Sequence, residues 1–263
     1  MRPGIAPLAA LAALAALVLA GCGPDAALDA LAPAGSGRVV AAPEGDLLVL
    51  DDGTRVRLAG VEAPKGSDPF AVDSRIALGQ LALGRQVELM SGGARQDRYG
   101  RTLAQVRRLD GRVWLEDALL RAGAARVRIY PDNRALAGAM LEAEAHARIA
   151  KRGLWASPAY KVLLPGEVAT EADGFAIVEG RVSAVERQGR TLLLTFAPAV
   201  FAAEVPAAAR NDFSAAGLEP AGLKGRLVRV RGDLRPTAAG PRLWLDTPEA
   251  VEILVDKQDG RRR

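Results

Sequence analysis

The sequence predicts a mainly β protein with helices, an α+β fold in which two small β-barrels follow one another along the chain. Short β-prone runs, separated by turns rich in glycine and charged residues, recur from residue 38 to residue 246. Helical segments interrupt these runs at intervals that suit a small barrel decorated with helices. Pro158, Pro165 and Gly166 mark a boundary, and we interpret residues 157–173 as a linker.

The predicted first domain covers residues 38–156. Its β-prone runs are residues 38–42, 47–50, 55–61, 85–90 and 102–108. Arg55-Val56-Arg57-Leu58 alternates charged and apolar residues, which is typical of a strand with one buried face. Helices are predicted over residues 71–83, 113–122 and 133–152. Asn133 suits the N-cap of the last helix, and Gly153 suits its end.

The predicted second domain covers residues 174–256. Its β-prone runs are residues 175–185, 191–196, 201–205, 227–232 and 243–246, with a helix over residues 207–216. Arg229 and Arg231 alternate with apolar residues, so their strand has one basic face. That face either packs against the first domain or a partner protein, or it binds nucleic acid.

The first residues have the pattern of an export signal. Arg2 gives the chain a positive start, and residues 8–20 form an unbroken apolar run. This run is shorter than the roughly 20 residues that a membrane-spanning helix needs, which favours a cleaved signal peptide. We therefore predict a signal peptide over residues 1–21.

Leu19-Ala20-Gly21-Cys22 resembles the lipobox of bacterial lipoproteins. The resemblance implies that diacylglycerol on Cys22 anchors an exported protein to a membrane of the cell envelope, on the periplasmic side and with the outer membrane favoured. Cys22 is the only cysteine, so an exported thiol would otherwise lack a disulfide partner. The alternative is an ordinary cleaved signal that contains a cysteine. Residues 22–37 are predicted to be a flexible tether, and residues 257–263 a basic, disordered tail.

The composition excludes several kinds of site. His146 is the only histidine and Cys22 the only cysteine, which excludes disulfides, cysteine metal sites and histidine-rich zinc sites. A serine–histidine–aspartate triad is possible only through His146. Hydrolytic chemistry would therefore rest on carboxylates, arginines, lysines and a hard metal ion. The net charge of +4 and the pI of about 9.6 favour anionic partners only mildly.

The first domain contains a series of local motifs. They are Glu44-Gly45-Asp46, residues 55–65, Asp97-Arg98-Tyr99-Gly100-Arg101, Glu144-Ala145 and Gly153-Leu154-Trp155. In this order and spacing they resemble the staphylococcal nuclease (thermonuclease) family over residues 38–156. The resemblance implies an oligonucleotide-binding (OB) barrel that hydrolyses DNA or RNA, with single strands favoured and Ca²⁺ as cofactor. The second domain resembles accessory OB-type domains.

The resemblance also implies roles for individual residues. Asp46 and Glu62 match the carboxylates that bind the metal ion. Arg57 matches an arginine that contacts phosphate, and Arg101 matches one that neutralises charge on the pentacoordinate phosphorus. Glu144 matches a buried helix glutamate that braces a loop. The functional interpretation requires the two carboxylates and the two arginines to converge on one pocket. Alternatively, the carboxylates form a structural ion network with Arg57, and Arg101 only fixes its turn.

Lys65 stands where the family has the glutamate proposed to activate the attacking water. A protonated lysine cannot accept a proton, and general-base catalysis is typically worth ~10²–10⁴-fold. Leu47 and Ala63 depart from the family pattern as well. Three functions therefore stay open: a metal-dependent nuclease of weak or altered activity, an inactive protein that binds nucleic acid or protein, and a structural envelope lipoprotein. The sequence does not indicate an oligomeric state.

Overall fold

The computed structural model describes residues 24–255. The predicted signal peptide, Cys22 and the predicted basic tail lie outside these residues. In the part of the chain that the structure describes, no helix is long and apolar enough to cross a membrane. Two barrels, each with a hydrophobic core of its own, make up this part of the chain.

The elements of the first domain match most of the predicted runs, but the last helix begins at Ala137 with Leu136 as its N-cap, so the predicted N-cap at Asn133 is wrong. The strands are β1 (Ala32–Glu44), β2 (Leu47–Leu50), β3 (Arg55–Leu58), β4 (Val61–Glu62), β5 (Gln86–Ser91), β6 (Thr102–Arg108), β7 (Val113–Trp114) and β8 (Arg126–Val127). The helices are α1 (Pro24–Asp29), α2 (Ala71–Ala82), α3 (Leu115–Ala122) and α4 (Ala137–Ile149). A 3₁₀ turn, Gly153–Ala156, ends the domain.

Five strands of the first domain close into a barrel. β1 pairs with β5 through its N-terminal part and with β2 through its C-terminal part, and these two strands pair in turn with β6 and β3. The parallel pairing of β3 with β6 completes the ring. β1 reaches both neighbours because it bends at register shifts, among them one beside Gly35 and one after Val39. The predicted OB-like barrel is confirmed.

The second domain also follows the predicted runs. Its strands are β9 (Gly174–Arg181), β10 (Ala184–Gln188), β11 (Thr191–Thr195), β12 (Ala202–Val205), β13 (Leu227–Arg235), β14 (Arg242–Trp244) and β15 (Val251–Ile253). Its helix is α5 (Arg210–Ala215), which follows a 3₁₀ turn, Ala207–Ala209.

The second domain repeats the strand order of the first. β11 lies between β10 and β12, β12 runs parallel to β14, and β13 lies between β14 and β9. Only Val182 and Ser183 separate β9 from β10, and their amides donate to the carbonyls of Arg226 and Thr195 on the two neighbouring strands. β9 and β10 therefore act as one bent strand, as β1 does, and the second barrel closes in the same way as the first.

The structure contradicts the predicted tether over residues 22–37, as far as these residues are described. α1 begins at Pro24, and β1 begins at Ala32. Leu28 is fully buried in the core of the first barrel. The small residues that resemble a linker in the sequence form a strand that pairs with β5 from Ala32 to Arg38. Gly35, with φ of +135°, supplies the bulge that this strand needs.

The linker of residues 157–173 holds the two barrels together. Leu163 exchanges backbone hydrogen bonds with β9, donating to Ile177 and accepting from Glu179. The hydroxyl of Tyr160 donates to the carbonyl of Pro69 in the first domain at 2.7 Å. A small apolar cluster, which includes Trp155 from the first domain and Ile177 from the second, fills the space beneath. The linker is therefore an ordered joint.

A buried ion network crosses the interface between the barrels. Arg231 of β13 is only 3% exposed and donates to Glu144 of α4 at 2.8 Å and to Glu252 at 2.6 Å. Burial opposes the charge of Arg231, but the two carboxylates outweigh it and hold the pKa of Arg231 above its usual value. Glu144 also accepts from the amide of Val127 at 2.8 Å, so it braces β8. The basic face of β13 thus packs against the first barrel.

We expect Arg231→Met to lower the free energy of unfolding by about 3 kcal/mol, because it leaves two buried carboxylates with less compensation. This is the low end of the range for breaking a buried pair, since Arg148 and Arg229 remain beside the acids. The measurement is chemical denaturation of the purified protein. Arg187→Met, on the exposed strand β10, should change stability by no more than about 0.5 kcal/mol. Equal effects of the two substitutions would contradict a structural role for the Arg231 network.

Candidate functional site

The turn between β1 and β2 places Asp46 inside the first barrel. Its side chain is fully buried, and its Oδ2 accepts a hydrogen bond from the amide of Ala63 at 2.9 Å. The same oxygen lies 3.1 Å from a guanidinium nitrogen of Arg57. Gly45 makes this placement possible, since a Cβ there would lie 2.6 Å from the Cβ of Ser74 on α2. Asp46 is thus held by Arg57 of β3 and by the residue that follows β4.

The guanidinium of Arg57 binds neighbouring groups of the first barrel. It donates to the carbonyls of Leu58 at 2.7 Å and Val61 at 2.8 Å, in addition to its contact with Asp46. The side chain is only 11% exposed. These bonds fix the path of the chain after β3, which supports the structural alternative for the Asp46–Arg57 pair. They also engage both terminal nitrogens of Arg57, which the predicted contact with phosphate would use.

Lys65 lies between two carboxylates. Its Nζ is 3.1 Å from Oε2 of Glu44 and 3.4 Å from Oδ1 of Asp46. Both oxygens are buried, and neither accepts a hydrogen bond of regular geometry from any described residue. The ammonium therefore provides their charge compensation. Together with Arg57, these residues form a cluster of two acids and two cations with no net charge, which we call the Lys65 cluster.

Glu62 faces away from the Lys65 cluster. Its carboxylate lies 3.1 Å from Arg126 and 3.6 Å from Arg128, both on or next to β8. Phe175 of the second barrel lies against both guanidiniums, 4.4 Å and 5.0 Å from its ring centre. Asp233 of the second barrel also pairs with Arg128, at 2.6 Å. Glu62 thus belongs to a second ion network, built jointly by the two domains.

Arg101 is held by the turn in which it lies. Its Nε donates to Asp97 at 2.6 Å, and the other oxygen of Asp97 accepts from the amides of Tyr99 and Arg101. Burial alone would raise the pKa of Asp97, but these hydrogen bonds outweigh it and keep the pKa below its usual value. The turn needs Gly100, whose φ is +74°. These contacts fix both Arg101 and its neighbour Tyr99.

An open cleft of about 630 Å³ lies beside this turn, at the end of the barrel where β3 and β6 begin. Arg55, Tyr99 and Arg101 line it. The ring of Tyr99 is 70% exposed and carries the guanidiniums of Arg98 and Arg101 at 5.3 Å and 5.2 Å from its centre. No ion pair of Arg55 occurs with the residues that the structure describes. We call this surface the Tyr99 cleft.

The structure does not bring the four predicted groups into direct contact with one another. β3 and β6 pair in parallel with Val56 opposite Thr102, so Arg101 lies beside the start of β3. Asp46 lies beyond the other end, where its carbonyl accepts from the amide of Leu58. Glu62 follows in β4 and faces β8. Only Asp46 and Arg57 meet, and their direct neighbours include Lys65, which the sequence identified as a departure from the family pattern.

Comparison with known proteins identifies the first domain. Residues 55–157 match the family model of staphylococcal nuclease homologues. This part of the chain is a staphylococcal nuclease homologue domain. The match includes Arg57, Glu62, Lys65 and Arg101, whereas Asp46 and the second barrel lie outside it. No curated protein matches the chain significantly.

The nuclease homologue family depends on calcium in general, but the residues of this chain do not fit calcium. Calcium typically takes about six to eight oxygen ligands, several of them carboxylates. The free oxygens of Glu44 and Asp46 already face the Lys65 ammonium, and Glu62 is paired with arginines. Among the described residues, no three histidine, cysteine, aspartate or glutamate side chains lie where they could hold a metal ion.

Two further expectations from the sequence concern His146 and a set of arginines. His146 is exposed and lies 3.8 Å from Glu142 on the same helix, so it forms no part of either ion network. Several arginines that could have formed one phosphate-binding face are instead each paired with an acid. They are Arg107, Arg108, Arg112, Arg121, Arg126 and Arg128.

Glu116 is a buried titratable group that sequence reasoning missed. It lies in the first turn of α3, where glutamate is usually exposed, and here it is fully buried. Burial raises its pKa to about 8, although the amide of Val106 donates to both carboxylate oxygens at 3.1–3.2 Å. No pattern in the sequence marks this residue, because its burial depends on how α3 covers β6 of the nuclease homologue domain.

The raised pKa of Glu116 predicts a pH dependence of stability. Between pH 4.5 and about pH 8 the folded chain binds more protons at Glu116 than the unfolded chain, so stability falls as pH rises. Glu116→Gln should remove this loss, on the order of a few kcal/mol across the window. The measurement is the thermal midpoint as a function of pH. The control is Glu186→Gln, on an exposed strand, which should follow the wild-type profile. Identical profiles for Glu116→Gln and the wild type would contradict the assignment.

Proposed function

We propose that this protein is an exported, lipid-anchored protein that binds single-stranded nucleic acid through its staphylococcal nuclease homologue domain, and that hydrolysis is weak or lost. The family supports a nuclease-like hydrolase or binder of nucleic acid. The Tyr99 cleft favours binding, and the Lys65 cluster disfavours hydrolysis. These two surfaces lie at opposite ends of β3, so each can be tested without changing the other.

The observation that carries the proposal is the ring of Tyr99, which is 70% exposed and has the guanidiniums of Arg98 and Arg101 close by. An aromatic face accepts any base by stacking, and arginines beside it neutralise the neighbouring phosphates. Asp97 holds Arg101 in place before any ligand arrives, which lowers the ordering cost of binding. Bases of a single strand are free to stack on the ring, whereas those of a duplex are already stacked, and this favours single strands.

The Lys65 cluster argues against efficient hydrolysis. Lys65 replaces the carboxylate that would accept a proton from water, and Arg57 donates to backbone carbonyls near Asp46. Loss of general-base catalysis alone is typically worth ~10²–10⁴-fold in rate. A slow phosphodiester hydrolase is the second candidate function, because Asp46 and Arg57, to which the resemblance gives a metal role and a phosphate role, lie together at 3.1 Å.

Binding is tested with a fluorescent single-stranded oligonucleotide and fluorescence anisotropy. Tyr99→Ala should weaken binding by about 1–3 kcal/mol through lost stacking. Arg55→Ala should weaken it and lower the slope of log affinity against log salt by about 0.7 for one lost phosphate contact. Arg187→Ala, in the second barrel, removes the same charge elsewhere and serves as the control. If the control loses as much affinity as Arg55→Ala, binding is a general charge effect and the Tyr99 cleft is not the site.

Hydrolysis is tested with the same oligonucleotide and a duplex of the same sequence. We expect the purified protein to leave both intact, with calcium or with chelator. Cleavage that requires calcium and disappears in Asp46→Ala would establish the second candidate function. The substrate should include RNA as well as DNA, because the domain match does not distinguish between them.

The lipid anchor is tested by fractionation. We expect the wild-type protein to remain with membranes after export, and Cys22→Ala to appear in a soluble fraction or to retain its signal peptide. Mass spectrometry of the N-terminal peptide measures the attached lipid directly. A mature N-terminus elsewhere than Cys22, without lipid, would support an ordinary cleaved signal.

A further inference from the structure

We infer that the Lys65 ammonium is a built-in replacement for a divalent cation in the first barrel, and that its removal uncovers a cation site formed by Glu44 and Asp46. The inference rests on membership of the first domain in the nuclease homologue family. It does not require nucleic-acid binding, since it concerns only the Lys65 cluster.

The first support is the position of the ammonium. Nζ lies 3.1 Å from one carboxylate oxygen and 3.4 Å from another, on side chains that flank a single glycine. Close packing of Gly45 against Ser74 and Ala63 fixes the backbone of this turn, so the Cα atoms of the two acids keep their separation. Two carboxylate oxygens that converge on one point with no other hydrogen bond are the usual start of a cation site.

The second support is the charge balance. Glu44 and Asp46 carry two negative charges, and Lys65 and Arg57 carry two positive charges. A divalent ion added to this cluster would meet two fixed cations at close range, which opposes its binding. Without Lys65, a buried oxygen of Asp46 would lose its compensation, and a buried charge without a partner is strongly unfavourable. The cluster would then gain stability from a bound cation.

The third support is the loop that carries Lys65. The amide of Lys65 donates to Asp68 at 3.1 Å, and the neighbouring amide of Ala63 donates to Asp46. The backbone at position 65 is therefore fixed close to the two acids before the side chain makes its ion pairs. A glutamate at this position would place a third carboxylate beside the cluster, while a lysine supplies the cation itself.

The experiment compares the purified wild-type protein with Lys65→Glu, Lys65→Met and Lys65→Arg, using calcium alone as the probe. Isothermal titration calorimetry measures calcium binding, and thermal denaturation with calcium or chelator measures its effect on stability. We expect no binding and no thermal shift for the wild type and Lys65→Arg. Lys65→Glu should bind calcium at least about tenfold more tightly than the wild type and gain thermal stability from it.

The remaining variants decide the assignment of the ligands. Lys65→Met should show a smaller calcium-dependent gain, because it frees two carboxylates without adding a third. Adding Asp46→Asn to Lys65→Glu should abolish the gain. The inference is overturned if the wild type binds calcium as tightly as Lys65→Glu, or if neither the folded Glu nor the folded Met variant responds to calcium. Failure of the wild type to bind an oligonucleotide would sink the proposed function and leave this result unaffected.

Discussion

The parallel pairing of β3 with β6 is the constraint on which the rest of the first barrel depends. It closes the ring, and its register sets Val56 opposite Thr102. Because β3 is only Arg55–Leu58, its two ends lie close together yet face different surroundings. One end presents the Tyr99 cleft to solvent, and the other seals Asp46 within the Lys65 cluster. A single short strand thus separates the solvent-exposed Tyr99 cleft from the Lys65 cluster, whose charges compensate one another.

Internal ion pairs compensate both carboxylates that the resemblance to the family singles out as metal ligands. Arg57 and Lys65 compensate Asp46, and Arg126 and Arg128 compensate Glu62. The second barrel reinforces the second pair, since Phe175 and Asp233 both contact the arginines. Breaking a buried pair typically costs ~3–5 kcal/mol. Of these pairs, that of Asp46 with Arg57 is buried, so it resists rearrangement when a ligand approaches. The domain has the fold of the nuclease homologue family, and the charges of Asp46 and Glu62 are compensated by cationic side chains of the protein itself.

Sequence patterns predicted most of the fold and only part of the site. Alternation over Arg55–Leu58 and the turn motifs gave strands that the structure confirms, since these signals depend on local geometry alone. The strand order of the second barrel repeats that of the first without any detectable repeat in sequence. The partners of Glu62 and the burial of Glu116 could not be predicted, because both depend on contacts between distant segments. The prediction of a tether before residue 38 is wrong because alanine, glycine and proline occur both in linkers and in bulged strands, so composition alone does not distinguish the two.

The early start of the fold has a mechanical consequence. α1 begins at Pro24, almost directly after Cys22, and Leu28 is already sealed in the barrel core. At ~3.5 Å per residue, the chain between a lipidated Cys22 and the start of α1 at Pro24 would span well under ~10 Å. The barrel would then lie directly against the lipid headgroups and could not extend away from the membrane. The protein would then meet only those polymers that reach the membrane surface.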